Sequence, residues 1–369
     1  MLGGERSSSS HAGLTRRRTH NPVRPSGTVA HSGRMEPVPT LDYRVTSRRP
    51  AWKDLPAPVR AAVEAAAGGR VVSAGRSVTS GFSGGFASVL ELEGGRQVFA
   101  KAGSSVNPYL VQAYAREAEV LAALPAAVPA PRLVGAGGLE PSEAHEHAWR
   151  VVVTEAARGT LPLPWTERSF AAVHDACLAA AAALDPAPAA LAPGLGTVTG
   201  DYALDAEILA VYPDLAAGRT TPPAGQPRWL VERAGELEAL VATAERALEG
   251  TAATHGDLRA DNVLVDGDRA VLVDWNFLAL GPPWLDLAGL LPAARTDGID
   301  ADAWVRRSPL LRDADPAAVD TWLAVIGAYM IANAGKPLWP GGHPVLRVHQ
   351  RRYARLFLDW LGARRGWPA

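Results

Sequence analysis

Asp257, Asn262 and Asp274 have the residue types and spacing to do chemistry together. They stand in His255-Gly-Asp257-Leu-Arg-Ala-Asp261-Asn262 and, twelve residues past Asn262, in Asp274-Trp-Asn. An Asp, an Asn five residues on and a second Asp beyond a short hairpin suit phosphoryl transfer. That reaction needs a carboxylate to orient a hydroxyl and accept its proton, and oxygen ligands for Mg²⁺ on the nucleotide phosphates. Asp257 would be the carboxylate; Asn262 and Asp274 would be the ligands.

The flanking segments explain how such residues could meet. Val263-Leu-Val265 and Ala270-Val-Leu-Val273 are short apolar runs rich in β-branched residues, and Asp266-Gly267-Asp268 lies between them. Acidic residues around a Gly between two such runs signal a hairpin. A hairpin here returns the chain so that Asp274 emerges close to Asn262. Taken alone, the same pattern also describes an ordinary surface hairpin; the four pieces in order favour a site.

A nucleotide site needs a phosphate cradle upstream. Thr79-Ser-Gly81-Phe-Ser83-Gly84-Gly85-Phe-Ala-Ser88 precedes an apolar stretch, and Gln97-Val-Phe-Ala-Lys101 follows a Gly94-Gly95 turn. This reads as strand, Gly-rich loop, strand, turn, strand. Glycines let backbone N–H groups approach phosphate without a Cβ in the way, which makes Gly81, Ser83, Gly84 and Gly85 candidates. Lys101 is one of only three lysines, with Lys53 and Lys336, against 34 arginines. A compact ammonium kept at this one place suits a contact with the α- and β-phosphates. Residues 106–124 follow as a helix carrying Glu117 and Glu119.

The Asp-x-x-x-x-Asn spacing is that of the kinase catalytic loop. His-Gly-Asp in place of His-Arg-Asp, and Asp-Trp-Asn in place of Asp-Phe-Gly, resembles the aminoglycoside phosphotransferase family of small-molecule kinases. The resemblance spans roughly residues 70–295. It implies an α+β, two-lobed protein-kinase-like fold, with an N-lobe of small antiparallel β-sheet plus one helix and a larger, mainly helical C-lobe. The lobes would be residues 51–155 and 156–369. It further implies that Glu117, with Glu119 in reserve, places Lys101, and that the backbone around Glu155 and Ala157 bonds the adenine. Asp286, in Gly281-Pro-Pro-Trp284-Leu-Asp286, would brace the catalytic loop, a role compatible with a helix first-turn Asp. His255 would buttress that loop rather than act as the base. Arg259 would be a phosphate or substrate contact, or merely a loop residue. The Gly-rich loop departs from Gly-x-Gly-x-x-Gly, which leaves open which of its backbone groups touch phosphate.

The rest of the chain bounds these expectations. Of 369 residues, 47% are apolar, ample for a core. No run of about 18 to 20 strongly apolar residues suggests a membrane span. The single cysteine, Cys177, excludes an intrachain disulfide framework and fits a reducing, cytoplasmic setting; it reads as a buried structural thiol. Residues 1–50, rich in Ser, Arg, Pro, Gly and His, read as a disordered basic tail, and Met35 as an alternative start. No signal-peptide core precedes it. Without the six arginines and one glutamate of residues 1–34, 31 basic and 37 acidic side chains remain, a net of −6. An acidic body argues against nucleic-acid binding.

About 100 residues between the hinge and the catalytic loop read as helices at 167–184, 202–217 and 229–248, with further helices at 316–334 and 344–363. By resemblance, this insert walls an acceptor pocket. Asp201, Asp205, Glu207, Asp297, Asp300 and Asp302 are its candidate acids; Trp165, Trp284 and Trp339 are its candidate aromatics. The combined expectation is transfer of the γ-phosphoryl of MgATP, or GTP in its place, to a hydroxyl of a small molecule, either aminoglycoside-like or another metabolite. The alternative is a non-catalytic nucleotide-binding module; four intact site residues argue against it. Oligomeric state is not legible.

Overall fold

The computed structural model describes residues 41–142, 146–202, 205–338 and 342–368. The first lobe is built on five antiparallel strands: β1 (Val71–Ala74), β2 (Phe86–Leu92), β3 (Gln97–Ser104), β4 (Leu133–Leu139) and β5 (Trp149–Glu155), in the order β1-β2-β3-β5-β4. In β2 the inward residues Phe86, Ser88, Leu90 and Leu92 are buried with period two. Two helices cover the sheet, α1 (Ala57–Ala67) on one side and α2 (Pro108–Ala123) against β3 and β5. Only α2 was expected. The signal for α1 was there: Val59, Val63 and Ala67 recur at four-residue spacing and are fully buried, and Gly68 ends the helix in the left-handed region.

The second lobe contains α3 (Glu167–Leu184), α4 (Val198–Tyr202), α5 (Ala206–Leu209), α6 (Val211–Ala216), α7 (Ala234–Val241) and α8 (Ala244–Ala247). Four short strands follow: β6 (Ala252–Thr254), β7 (Val263–Asp266), β8 (Arg269–Leu272) and β9 (Ala279–Gly281). The chain finishes with α9 (Leu285–Ala294), α10 (Ala301–Arg307), α11 (Pro316–Ala334) and α12 (Val345–Arg364). Helices α3, α11 and α12 lie within a residue or so of their expected bounds. The continuous helices expected at 202–217 and 229–248 are instead broken. Asp205 starts a new helix by accepting from Glu207 N. The Thr243 hydroxyl donates back to the Leu240 carbonyl at 2.8 Å between α7 and α8, a local bond that competes with helix continuation.

Helix α11 is long and apolar enough to cross a membrane by length and composition. Every residue from Ala318 to Ala328 is buried, and its principal packing partners are α12 and α7. Its all-round apolarity is that of a central core helix.

Residues 41–50 correct the expected extent of the tail. Tyr43, Thr46 and Ser47 are buried. Thr46 N and Ser47 N both donate to Thr79 O, at 2.8 and 2.9 Å. The segment has no apolar periodicity because hydroxyls, backbone groups and Arg49 hold it, rather than an amphipathic face. Residues 1–40, including Met35, lie outside the described residues, as do Trp339 and the middle of the loop before α12.

Candidate active site

The hairpin β7–β8 forms with Gly267 at positive φ, as its Asp-Gly-Asp turn requires. Val263 pairs with Leu272, and Val273 N donates to Asn262 O at 3.0 Å. The two candidate ligands, Asn262 and Asp274, thereby flank the open end of one hairpin. Asp274 is the one non-glycine residue with positive φ among those described, at 71°. Such a conformation persists only where the surroundings impose it. Lys101 is part of those surroundings: its Nζ lies 2.7 Å from Asp274 Oδ1 and 2.7 and 2.8 Å from the two Glu117 oxygens. Burial opposes the charge on Lys101, but the two carboxylates outweigh it and raise its pKa. For Asp274, burial is overcome by Lys101, and its pKa is lowered. Glu117 is thus the partner of Lys101, while Glu119 lies 3.6 Å from Arg116 on the solvent side.

The catalytic loop is fixed from beneath. Asp286 accepts from His255 N at 2.7 Å and Gly256 N at 3.0 Å. His255 Nε2 donates to Val273 O at 2.9 Å, and its Nδ1 faces Asp257 N at 3.4 Å. Both ring nitrogens therefore face backbone groups of the loop and the strand end, and neither is left for an acceptor. Gly256 has φ +78°, and a Cβ there would stand 2.3 Å from Phe277 O, so the middle of His-Gly-Asp admits glycine only.

Asp257 is held by Arg259 Nη1 through Oδ1 and by Asn262 Nδ2 at 3.3 Å from Oδ2. Asn262 Nδ2 also donates to Asp257 O at 2.7 Å, which leaves the Asn262 Oδ1 as the oxygen for a cation. Burial raises the Asp257 pKa, and the Arg259 guanidinium works against that rise. Arg259 is in turn gripped by Asp261, through Nε at 3.1 Å and Nη2 at 3.2 Å. Asp261 was read only as part of the motif; its role depends on a side-chain rotamer that spacing does not reveal.

Gly81, Ser83, Asp257, Arg259 and Asp274 line one cavity of about 770 Å³. Gly85 sits just behind it, where a Cβ would meet Tyr114 Oη at 2.7 Å and Ala102 O at 2.9 Å; its carbonyl takes Arg49 Nη1. Glu155 closes β5. Its N–H donates to Arg132 O at 2.9 Å, and its carbonyl accepts from the Thr154 hydroxyl at 3.1 Å, leaving one lone pair of that oxygen for a base. Ala157 follows two residues on, outside the sheet. Neither residue lines the cavity. Phe82, at the tip of the Gly-rich loop, was not singled out from sequence. Its ring lies 4.5 Å from His349 and 5.5 Å from the Arg259 guanidinium.

Most of the acceptor-side candidates are employed elsewhere. Asp205 and Asp300 cap helices, Asp297 accepts from Trp165 N, Asp302 from Trp360 Nε1, and Glu207 pairs with Lys336. Asp201 faces an adjoining cavity of about 330 Å³ together with Arg116. Trp165 and Trp284 are core residues. The wall is instead formed from α11 and α12. Trp322, Ile326, Tyr329, Met330 and Asn333 all face it, at spacings of four, three, one and three. That is one helical face, but the other faces of α11 are apolar too, so periodicity could not distinguish it. Cys177 is buried, and burial pushes its thiol pKa up, which fits a structural thiol.

A two-lobed kinase-like fold with these groups at the cleft defines the class. The chain belongs to the phosphotransferase enzyme family, whose profile matches residues 79–322. It is a kinase with a hydroxyl group as acceptor. No curated protein sequence matches it significantly. Among solved structures, it is similar to spectinomycin phosphotransferase in complex with ADP and spectinomycin. That likeness has 11% identity and a TM-score of 0.54, and covers 84% of this chain and 98% of the other. It is also similar to the apo form of a thermostable mutant of aminoglycoside phosphotransferase APH(4)-Ia. There the identity is 18%, the TM-score 0.50, and the coverage 82% of this chain and 99% of the other.

Proposed function

We propose that the protein transfers the γ-phosphoryl group of MgATP to a hydroxyl of a small molecule. The observation that carries this reading is the convergence of Asp257, Asn262, Asp274 and the Lys101–Glu117 pair on one cleft beneath a Gly-rich loop. Asp257 orients the acceptor hydroxyl and takes its proton. Lys101 steadies the α- and β-phosphates, and the backbone of the Gly-rich loop lies over them. The carbonyl of Glu155 and the backbone of Ala157 serve the base, which admits adenine or guanine.

The donor set suits magnesium. One amide oxygen and one carboxylate are the oxygen ligands a magnesium ion takes from protein when phosphates and water complete its shell. Among the described residues no cluster of three or more His, Cys, Asp or Glu could hold a metal unaided. Bound there, the ion would neutralise charge on the phosphate oxygens. Chelation by EDTA should abolish transfer, and added Mg²⁺ should restore it.

A cytoplasmic setting suits such an enzyme, since its nucleotide is there. The test is product mass: a hydroxylated acceptor should gain one phosphate with wild-type protein and MgATP, and none with Asp257→Asn. Equal product from both proteins would refute the assignment.

A further inference from the structure

The acceptor side of the cavity is apolar and aromatic. Tyr202, Trp322, Ile326, Tyr329, Met330 and Phe357 form it. The carboxylates that line the cavity are Asp257, Asp274 and Asp286. None is left for an ammonium group: Asp257 is held by Arg259, Asp274 by Lys101 and Asp286 by two backbone N–H groups. The cationic side chains there are Arg49, Arg259, Arg347 and Lys336, the last neutralised by Glu207 at 2.6 Å. Arg347 bonds the neutral oxygens of Asn333, Pro337 and Gln350 at 2.7 to 2.8 Å, so among the described residues no carboxylate compensates its charge at the wall. Asp201 lies outside this lining, in the adjoining cavity, where burial raises its pKa and so favours the uncharged acid. A polyamine placed against the α11–α12 wall would lose hydration while the carboxylates lining that cavity are already engaged. An apolar ring system would instead gain burial. The indole Nε1 of Trp322 is buried without a hydrogen-bond partner among the described residues, on the side of the lining residue Gly289. It is a donor in search of an oxygen.

Resting on the phosphotransfer reading, we infer that the acceptor is a predominantly apolar alcohol without ammonium groups, its ring system seated against Tyr329 and Met330 and an oxygen facing Trp322 Nε1. Its hydroxyl points toward Asp257. The pocket selects by apolar area and by the charge it lacks.

The test uses the full-length protein saturated with MgADP and the anionic apolar dye 1-anilinonaphthalene-8-sulfonate. The dye should bind with a rise in fluorescence. Estradiol, a neutral polycyclic alcohol, should displace it at a concentration at least about tenfold below that of neomycin, a polycation; tenfold is about 1.4 kcal/mol. Met330→Glu should raise the dye Kd about tenfold or more, and Met330→Leu should restore it. The inference is overturned if the dye does not bind, if estradiol fails to compete, if neomycin competes as well, or if Met330→Glu leaves the Kd unchanged. Calorimetric titration with MgADP reads the phosphotransfer reading separately. If MgADP does not bind, that reading falls, and the dye competition run without nucleotide still decides the character of the wall.

Discussion

Asp286 sits beneath His255, its Oδ2 2.7 Å from the backbone nitrogen of that residue. With Oδ1 on Gly256 N, one carboxylate sets the height of the two residues before Asp257. Asp286→Ala removes two charge-assisted bonds and leaves two N–H groups without partners. We expect a stability loss of about 2–4 kcal/mol and a fall in kcat larger than the change in KM for nucleotide. Thermal melts and steady-state kinetics check both; an unchanged kcat would show that the loop holds its shape unaided.

Asp257→Asn keeps the shape of the side chain and removes the proton acceptor. Turnover should fall about 10²–10⁴-fold, while the Kd for MgADP stays close to wild type because Lys101 and Asp274 are untouched. Single-turnover kinetics and calorimetry separate the two effects.

The acid limb of the rate profile carries a sign. Burial raises the Asp257 pKa above its ordinary value, and Arg259 opposes the rise. Because the ionised form is active, kcat/KM should fall as pH drops through a value above the usual aspartate range of about 3.9. Removing the guanidinium in Arg259→Met lets burial act with less opposition, so the limb should move to higher pH. A limb that shifts to lower pH would contradict the assigned pairing.

Lys101→Met strands the Glu117 carboxylate, whose side chain is only 4% exposed. An orphaned buried charge costs about 3–5 kcal/mol, so the single variant should melt well below wild type. Adding Glu117→Leu removes the stranded charge and should recover much of that stability while nucleotide affinity stays weak. Recovery of both would mean that the pair is structural only.

Gly256→Ala tests the backbone rather than a side chain. The new Cβ would meet Phe277 O at 2.3 Å in a residue with φ +78°. Strain of this kind costs about 1–3 kcal/mol, and relief requires the loop to shift beneath Asp257. Both Tm and kcat should drop, whereas Gly267→Ala, at a hairpin tip with open space around it, should lower Tm alone.

Much of the nucleotide side was legible in the sequence because its parts are local strings. Asp257, Asn262 and Asp274 are fixed by one loop and one hairpin, and Lys101 stands out because the chain otherwise uses arginine. Asp286 was reached through resemblance, and its bonds to His255 and Gly256 match. The acceptor wall was hidden for a physical reason. Pattern reading needs contrast between faces, and α11 has none: Trp322 and Tyr329 differ from their neighbours only in which void they face. The acids proposed for that wall were plausible by charge, yet caps and ion pairs claim Asp205, Asp300 and Glu207 once the chain is folded. Segment 41–50 escaped notice because side-chain hydroxyls and backbone groups leave no periodic trace.

Residues 41–50 also tie the glycine loop to α12. Thr46 and Ser47 hold the carbonyls of Gly81 and Ser83, Arg49 holds those of Ser80 and Gly85, and the Tyr43 hydroxyl reaches His349 on α12. A glycine loop of this kind is ordinarily the part of a nucleotide cleft free to breathe. Here it cannot rise without unfastening a belt buckled to the far lobe. The freedom of the loop over the cleft is thus coupled to a stretch of chain that the catalytic motifs do not include.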